Sequence, residues 1–451
     1  GPGFDLSPAQ GISGPDCWGD GPMVGFYCYA FHVRSCSLLC GLLAVSGLPL
    51  HAAEPAQSLA LPKWLTVNGG IRLRAEGQHH VGFDETRNQD FLLQRYRLRL
   101  GLAPSRYFRV VGELQDARAS GLASPDASVK DPLDLRQAYV ELGAEKGFAV
   151  LRAGRQKIAF GSERVVGAAE WGNTARVFDA VDLRLQRGAD VLDIFSASVV
   201  AGDMDSWDHH QQGNNLHGFY ASLGSLFPSA RVEPYLLGRT LGRHRGHSFT
   251  PGLRVAGDAG AHWSYEAEGL VQDGQLGQSP LHAWAATVQV QRKIGHLPWK
   301  PSVLGEYNYA SGDRRPNDGV VNTFDQLYPT NHGIYGVTDQ IGRRNTSNVR
   351  SALILRPNKW LTVRGEHHSF WLASRYDALY SASGAASVAA VPGGAAYTHV
   401  GREVDIVADM KLSRYYDIGA QAGHLFPGAF LQTYSRGAGR TFYVVFLDVH
   451  L

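Results

Sequence analysis

The sequence predicts an all-β fold, an up-and-down antiparallel β-barrel of about 18 strands that crosses a membrane, and three observations carry this. From Trp64 to Leu451, apolar and polar residues alternate in short runs. The links between runs alternate as well, long then short, so the two ends of the meander face different environments. No linker, low-complexity stretch or composition shift divides this region. One closed barrel accounts for a length that would otherwise require two or three soluble domains. Short turns on one side and long loops on the other are the pattern of a barrel in the bacterial outer membrane, with the turns periplasmic.

The first run sets the period. Leu65, Val67, Ile71 and Leu73 fall on one face, and Thr66, Asn68, Arg72 and Arg74 on the other. A polar loop of about 15 residues follows, then Phe91 to Leu102, then the short link Ala103 to Tyr107. Strand cores begin near Trp64, Phe91, Phe108, Leu133, Phe148, Asp179, Val191, Leu216 and Val232. The second half continues from His247, Trp263, Trp284, Ser302, Val349, Leu361, Glu403, Asp417 and Thr441. An even count places both ends of the meander on the periplasmic side. The short links hold turn formers, among them Ala103-Pro104-Ser105, Arg187-Gly188, Pro228-Ser229 and Pro357-Asn358. The longest links, Ser311 to Thr346 and Ser374 to Gly401, both fall in the outer phase. Trp64, Tyr107, Trp263, Trp360 and Tyr415 sit beside expected periplasmic turns, and Tyr309 and Trp371 near outer rims, where amphipathic rings favour the headgroup level. A β-propeller or solenoid would need a repeat of fixed period, and none is present.

Residues 1–53 are read as an upstream extension and signal peptide, and residues 54–451 as the barrel channel. Ser37 to Leu50 is apolar, follows Arg34 and precedes Ala52-Ala53; at about 14 residues it is too short to span a bilayer as a helix. All four cysteines lie in this upstream part, so the barrel has no disulfide framework or thiolate metal site. With 19% charged and 44% hydrophobic residues the chain is not disordered, and a formal net charge of +2 names no partner.

Charge placement says more. On the second run Tyr96, Leu98, Leu100 and Leu102 face lipid, which turns Arg95, Arg97 and Arg99 to the lumen beside Arg72 and Arg74. Arg109, Arg184, Arg350 and Arg364 fall on polar faces of later strands, and Arg136 lies on a strand of blurred period. Glu113, Asp182, Asp193, Glu266, Glu268, Glu306, Glu366, Glu403, Asp405 and Asp409 also point inward. These charges either brace neighbouring strands or form a basic ladder for an anionic solute.

The stretches LRQAYVEL (Leu135 to Leu142) and LRAGRQKIAFGSERVVGAAEWGNTARVFDAVDLRL (Leu151 to Leu185) resemble the alginate export family of outer-membrane porins. RPNKWLTVRGEHHSFWLA (Arg356 to Ala373), DALY (Asp377 to Tyr380), GREVDIVADMKLS (Gly401 to Ser413) and GHLFPGAF (Gly423 to Phe430) extend the resemblance in the family's order. It implies an 18-stranded barrel with a lumenal basic constriction, carried over onto Arg72, Arg97, Arg136 and Lys157. It departs from the pattern in ending on Leu451, where such barrels usually end in Phe or Trp, and in the central strands. The expected function is passage of an anionic, alginate-like polysaccharide. The alternative is a general or small-solute uptake porin, and a more distant one a barrel hydrolase.

The segment Arg155 to Asp179 falls at the outer side yet carries Phe160, Val165, Val166, Trp171 and Phe178. It is therefore expected to fold inward, narrow the pore and place Lys157 and Arg176 by the solute path. His79-His80, His209-His210 and His367-His368 are read as loop or surface pairs, because neighbours on one strand point to opposite faces and cannot chelate together. His217 and Ser222 suggest hydrolysis, but no spacing joins them. No phosphate-binding loop is present. The expectation is no enzyme activity, no cofactor and no nucleic acid. The partners are outer-membrane lipid, an anionic polysaccharide or small anionic solute, and possible periplasmic export partners.

Overall fold

The computed structural model describes residues 61–451 apart from 243 and 244. The signal-peptide reading, the cysteines and the boundary at residue 53 lie outside the described residues. Strands β1 (Leu65–His79), β2 (Gln89–Ser105), β3 (Phe108–Ser120), β4 (Asp131–Leu142), β5 (Ala149–Gln156), β6 (Phe178–Arg187) and β7 (Asp190–Ala201) open the meander. It continues through β8 (His209–Phe227), β9 (Ala230–Leu241), β10 (Gly246–Ala259), β11 (Trp263–Leu276), β12 (Ser279–Lys293), β13 (Ser302–Ala310), β14 (Thr346–Leu355) and β15 (Leu361–Leu372). A small hairpin, β16 (Leu379–Tyr380) and β17 (Ala386–Val388), stands in a loop. The wall resumes with β18 (His399–Lys411) and β19 (Tyr416–Pro427), and after the one-turn helix α1 (Ala429–Tyr434) ends with β20 (Arg440–His450).

Leaving out the small hairpin, 18 strands form one sheet, each antiparallel to its sequence neighbours, and β1 pairs with β20 to close it. At that seam Arg72 lies opposite Asp448, and its guanidinium meets the carboxylate through two hydrogen bonds, of 2.6 and 2.9 Å. A closed sheet leaves no unpaired edge, which is what a wall in hydrocarbon requires.

The alternation holds where it was clearest. Along β2, Tyr96, Leu98, Leu100 and Leu102 are exposed on the outer face while Arg95 is buried inside. Along β18, Val404 and Ile406 are exposed outward, and Glu403, Asp405 and Val407 are buried. The aromatic belts are present too: Trp64, Tyr107, Trp263, Trp360 and Tyr415 lie exposed at the periplasmic rim. Near the outer rim Trp284 stacks on Tyr309 at 4.3 Å.

One expectation needs correcting. The inward face is not polar along its whole height. On the outer halves of β6 to β12 it carries Phe178, Phe195, Leu216, Leu237, Leu270 and Leu281, all buried. These side chains face the lumen because two loops fill it. The β5–β6 loop (157–177) and the β13–β14 loop (311–345) both turn inward instead of standing above the barrel. Val166 bridges Tyr328 in parallel, the Gly167 N–H donates to the Tyr328 carbonyl at 2.8 Å, and the Thr330 N–H to that of Glu163 at 2.9 Å. A short two-stranded strap thus crosses the lumen. Phe160 stacks on Tyr220 with centroids 4.6 Å apart, and Phe178 meets Tyr328 edge-on. The apolar content of the β5–β6 loop is the core of this plug.

Candidate functional site

The basic wall is built from the first four strands. Inward residues two apart on β1 and β2 stack Arg72 and Arg74 beside Arg95, Arg97 and Arg99, since each β2 residue faces a β1 partner in register. Arg136 on β4 and Lys157 at the end of β5 complete the arc.

Into this arc the β5–β6 loop inserts one carboxylate, Glu170. Arg97 Nη1 donates to it at 2.8 Å, Arg136 Nη2 at 2.6 Å and Lys157 Nζ at 3.1 Å. Arg72 and Arg95 donate to the Glu170 carbonyl at 3.2 and 3.1 Å, and Arg95 also to that of Gly172 at 3.0 Å. Burial alone would raise the Glu170 carboxyl, but Arg97, Arg136 and Lys157 outweigh it and hold the group well below the usual carboxylate range.

The sequence block around Glu170 is wired for this pose. Trp171 stacks on His332 of the other loop at 4.0 Å, under the Arg74 guanidinium. Asn173, buried, donates to the carbonyls of Gln94, Arg118 and Val129 and so fastens the loop to β2, β3 and the β3–β4 link. Arg155 pairs with Asp179 at 2.8 Å. Gly154 has φ +126°, and a Cβ there would lie 2.2 Å from the Ala138 carbonyl oxygen, so only glycine fits β5 against β4.

A cavity of about 360 Å³ runs along the basic wall beneath the loop. Five cationic side chains line it, Arg72, Arg95, Arg97, Arg99 and Lys157, against three carboxylates, Glu113, Glu170 and Asp448. Glu113 is engaged by Arg136 at 2.8 Å and Gln137 at 2.6 Å. Among the described residues Arg99 meets no carboxylate within salt-bridge reach and donates to the Tyr139 hydroxyl at 2.9 Å. On the far side of the loop lies a second cavity of about 250 Å³, which Arg74, Thr338 and Arg440 help to line. Glu170 borders the first cavity and Trp171 and Gly172 the second, so this short segment is the partition between them.

The remaining predicted residues lie elsewhere. Arg184 pairs with Asp193 at 2.7 Å, Arg350 bridges Glu306 and Glu366, and Arg364 reaches Glu366 at 3.5 Å and Asp409 at 3.8 Å. Arg176, expected by the solute path, donates instead to the carbonyls of Gly167, Tyr328 and Pro329. It ties the two halves of the strap together because three carbonyls converge there. Arg164 and Arg343, the second not brought out by the strand pattern, leave the loops for an acidic wall made by Glu266 and Glu268 of β11 and Glu306 of β13. Arg164 meets Glu306 at 3.0 Å and Arg343 meets Glu268 at 3.0 Å. The β5–β6 loop thus presents to each wall the charge that wall lacks, and the β13–β14 loop adds a second cation to the acidic side. His217 points outward and bonds Ser196, whereas Ser222 points inward to Glu233, so those two do not meet.

A family profile described as "Alginate export" matches residues 63–444. No curated protein gives a significant sequence match. Among solved structures, OpdO of Pseudomonas aeruginosa superposes with a TM-score of 0.57 at 14% identity, covering 86% of this chain and 97% of that one. OccAB4 of Acinetobacter baumannii gives 0.58 at 9% identity, covering 86% and 98%, and OccK8 (OprE) of P. aeruginosa 0.58 at 11%, covering 86% and 98%. At such identities the likeness is one of fold.

Proposed function

This chain belongs to the alginate export family of outer-membrane channels, and on that premise we propose that its lumen passes a carboxylated solute along the wall of β1 to β4, with an alginate-like polyuronate strand as the favoured cargo. Family and fold are those of channels, not of enzymes. The observation that carries the reading is Glu170. The lumen holds a carboxylate in a cradle of Arg97, Arg136 and Lys157, beside a cavity whose lining has two more cations than anions. A uronate carboxylate entering that cavity meets the same donors, together with Arg99. Arginine offers planar, paired donors to carboxylates, and several such cradles in series let a chain step from one to the next without being trapped. The charge-matched plug explains how the basic wall stays ordered without solute: Glu170 occupies it.

A second reading, a small anionic solute, is favoured by one feature. The segment Glu170–Gly172 separates two lumenal cavities of about 360 and 250 Å³. Block of single-channel current separates the two. Polymannuronate oligomers should interrupt the current with dwell times that lengthen with chain length, while neutral dextrins of equal length should not. Block by monomeric uronate alone, with no dependence on length, would favour the small-solute channel. Equal block by dextrin would defeat both readings.

A further inference from the structure

On β15 and β18, separated from β1 and the basic wall by β19 and β20, four inward residues form a block two strands wide. On β15 Glu366 and His368 are two apart, and in register they face Asp405 and Glu403 of β18. All four are buried, with exposures of 6, 0, 1 and 0% respectively, so His368 is not the surface or loop histidine that the sequence suggests: it lies on the inward face of β15, under the β13–β14 loop. His367, between the first two, points outward, so the neighbouring histidines do not act together. His368 instead acts with the carboxylates two residues and one strand away. Among the described residues, Glu366, His368 and Asp405 each offer a ligand atom, and these atoms lie within 4.8 Å of one another.

Their hydrogen bonding is incomplete in an informative way. Both ring nitrogens of His368 and both oxygens of Asp405 are buried without a hydrogen-bond partner. Buried polar atoms rarely lack partners, and a whole carboxylate doing so is more unusual still. The separations explain why. His368 Nε2 stands 3.6 Å from Glu366 Oε2 and 3.7 Å from Asp405 Oδ2. Both exceed hydrogen-bond length. They approach the edge of a tetrahedron around one ion with metal–ligand bonds of ~2.0–2.2 Å, which is roughly 3.3–3.6 Å. Imidazole nitrogen with carboxylate oxygens is a donor set for a borderline ion such as Zn²⁺, not for the all-oxygen shells of Ca²⁺ or Mg²⁺.

The surroundings are those of a held site. Arg350 Nε donates to Glu366 Oε2 at 2.8 Å and orients that carboxylate. Glu403 accepts from the Thr338 N–H at 2.9 Å and its hydroxyl at 2.6 Å. Thr338 belongs to the β13–β14 loop, which descends here through Gly336; a Cβ at that glycine would stand 2.2 Å from Glu403 Oε1. We propose that Glu366, His368 and Asp405 bind one divalent transition-metal ion of the Zn²⁺ class, and that this ion pins the β13–β14 loop to the barrel wall through Glu403 and Thr338. The bound charge offsets carboxylates that no lysine or arginine among the described residues neutralises, since Asp405 and Glu403 form no ion pair with either.

The test uses the full chain folded in detergent, its cysteines alkylated, stripped with a chelator and titrated with Co²⁺. One equivalent should bind and produce the intense visible bands of a low-coordinate Co²⁺ site, which Zn²⁺ should abolish by displacement. His368→Ala and Asp405→Asn should each weaken binding by more than about 100-fold, beyond the 10–100-fold cost of disturbing an outer-shell partner. His367→Ala, on the opposite face, should bind as the parent does. Folding of each variant is checked by its heat-modifiable migration. Should the two inward variants fail to fold, X-ray absorption of the Zn²⁺-loaded parent decides the matter: one nitrogen with oxygens supports the site, and a sulfur or all-imidazole shell overturns it. A parent that binds neither ion, or folded variants that bind like the parent, would also overturn it.

Discussion

At the scale of single residues the β5–β6 loop meets the basic wall through one carboxylate, Glu170. Glu170 is held ionised by Arg97, Arg136 and Lys157. Its folded pKa lies below the ordinary unfolded value of about 4.3. Its contribution to docking of the loop is therefore fully present above that value and is lost only as pH falls through the lower, folded one. Channel current should accordingly keep its amplitude and its noise from neutrality down to about pH 4, and become unsteady only in stronger acid. A gating transition between neutrality and that point in planar bilayers would contradict the assignment. Glu170→Gln keeps the shape and removes the charge. It should raise the anion-to-cation permeability ratio and add flicker, because the cradle loses its internal anion while the loop loses its anchor. A lower ratio would mean that Glu170 is not what neutralises the wall.

At the scale of elements the decisive pieces are a strand and a loop. On β18, Ile406 is 59% exposed on the lipid face at mid-height. Ile406→Lys should cost about 2–4 kcal/mol of barrel stability, read from urea unfolding in bilayers. Cysteines at Val404 and Ile406 should react with a lipid-phase label and one at Val407 should not; the reverse pattern would shift the register by one. In the β5–β6 loop, deleting Ser162 to Gly172 removes the strap and the partition, merges the two cavities and should raise single-channel conductance several-fold. A folded deletion variant that conducts like its parent would place the constriction elsewhere. These two elements also show what could be read beforehand. β18 was legible because apolar and acidic residues alternate without a break. The inward turn of the β5–β6 loop was legible from Val165, Val166 and Trp171, which are too apolar for a solvated tip. Its partner was not, because Tyr328, Thr330 and His332 are spread through a polar stretch whose pairing depends on contacts far apart in sequence. The small hairpin β16–β17 and helix α1 are too short for periodicity to show.

At the scale of the whole molecule, the wall of β1 to β4 is basic and that of β11 and β13 acidic, and the β5–β6 loop bridges them with Glu170 and Arg164. The arginines of β1 and β2 were visible from spacing alone, because strict alternation leaves them no other face. Which of them stay available to a solute was not. Whether an arginine is spent on a neighbour depends on partners such as Asp448, Glu113 and Glu170, which come close only when the sheet closes and the loop folds in. The same holds for His368: strand geometry correctly separates it from His367, but its meeting with Asp405 requires the β15–β18 pairing across a long outer loop. The apolar inner faces of β6 to β12 went unread for a related reason, since they meet the inserted loops, which pair with them only in the folded barrel.

The central claim is that the wall of β1 to β4 makes this barrel a path for anions. Reversal potential across a salt gradient in planar bilayers tests it most directly, on the parent and on the variant with Arg95, Arg97 and Arg99 all replaced by Ser. The parent should select anions, and the variant should lose most of that preference, with the difference widening as ionic strength falls and screening weakens. A parent without anion preference, or a folded variant whose reversal potential matches the parent at every salt concentration, would contradict the account and leave these arginines as braces of the wall.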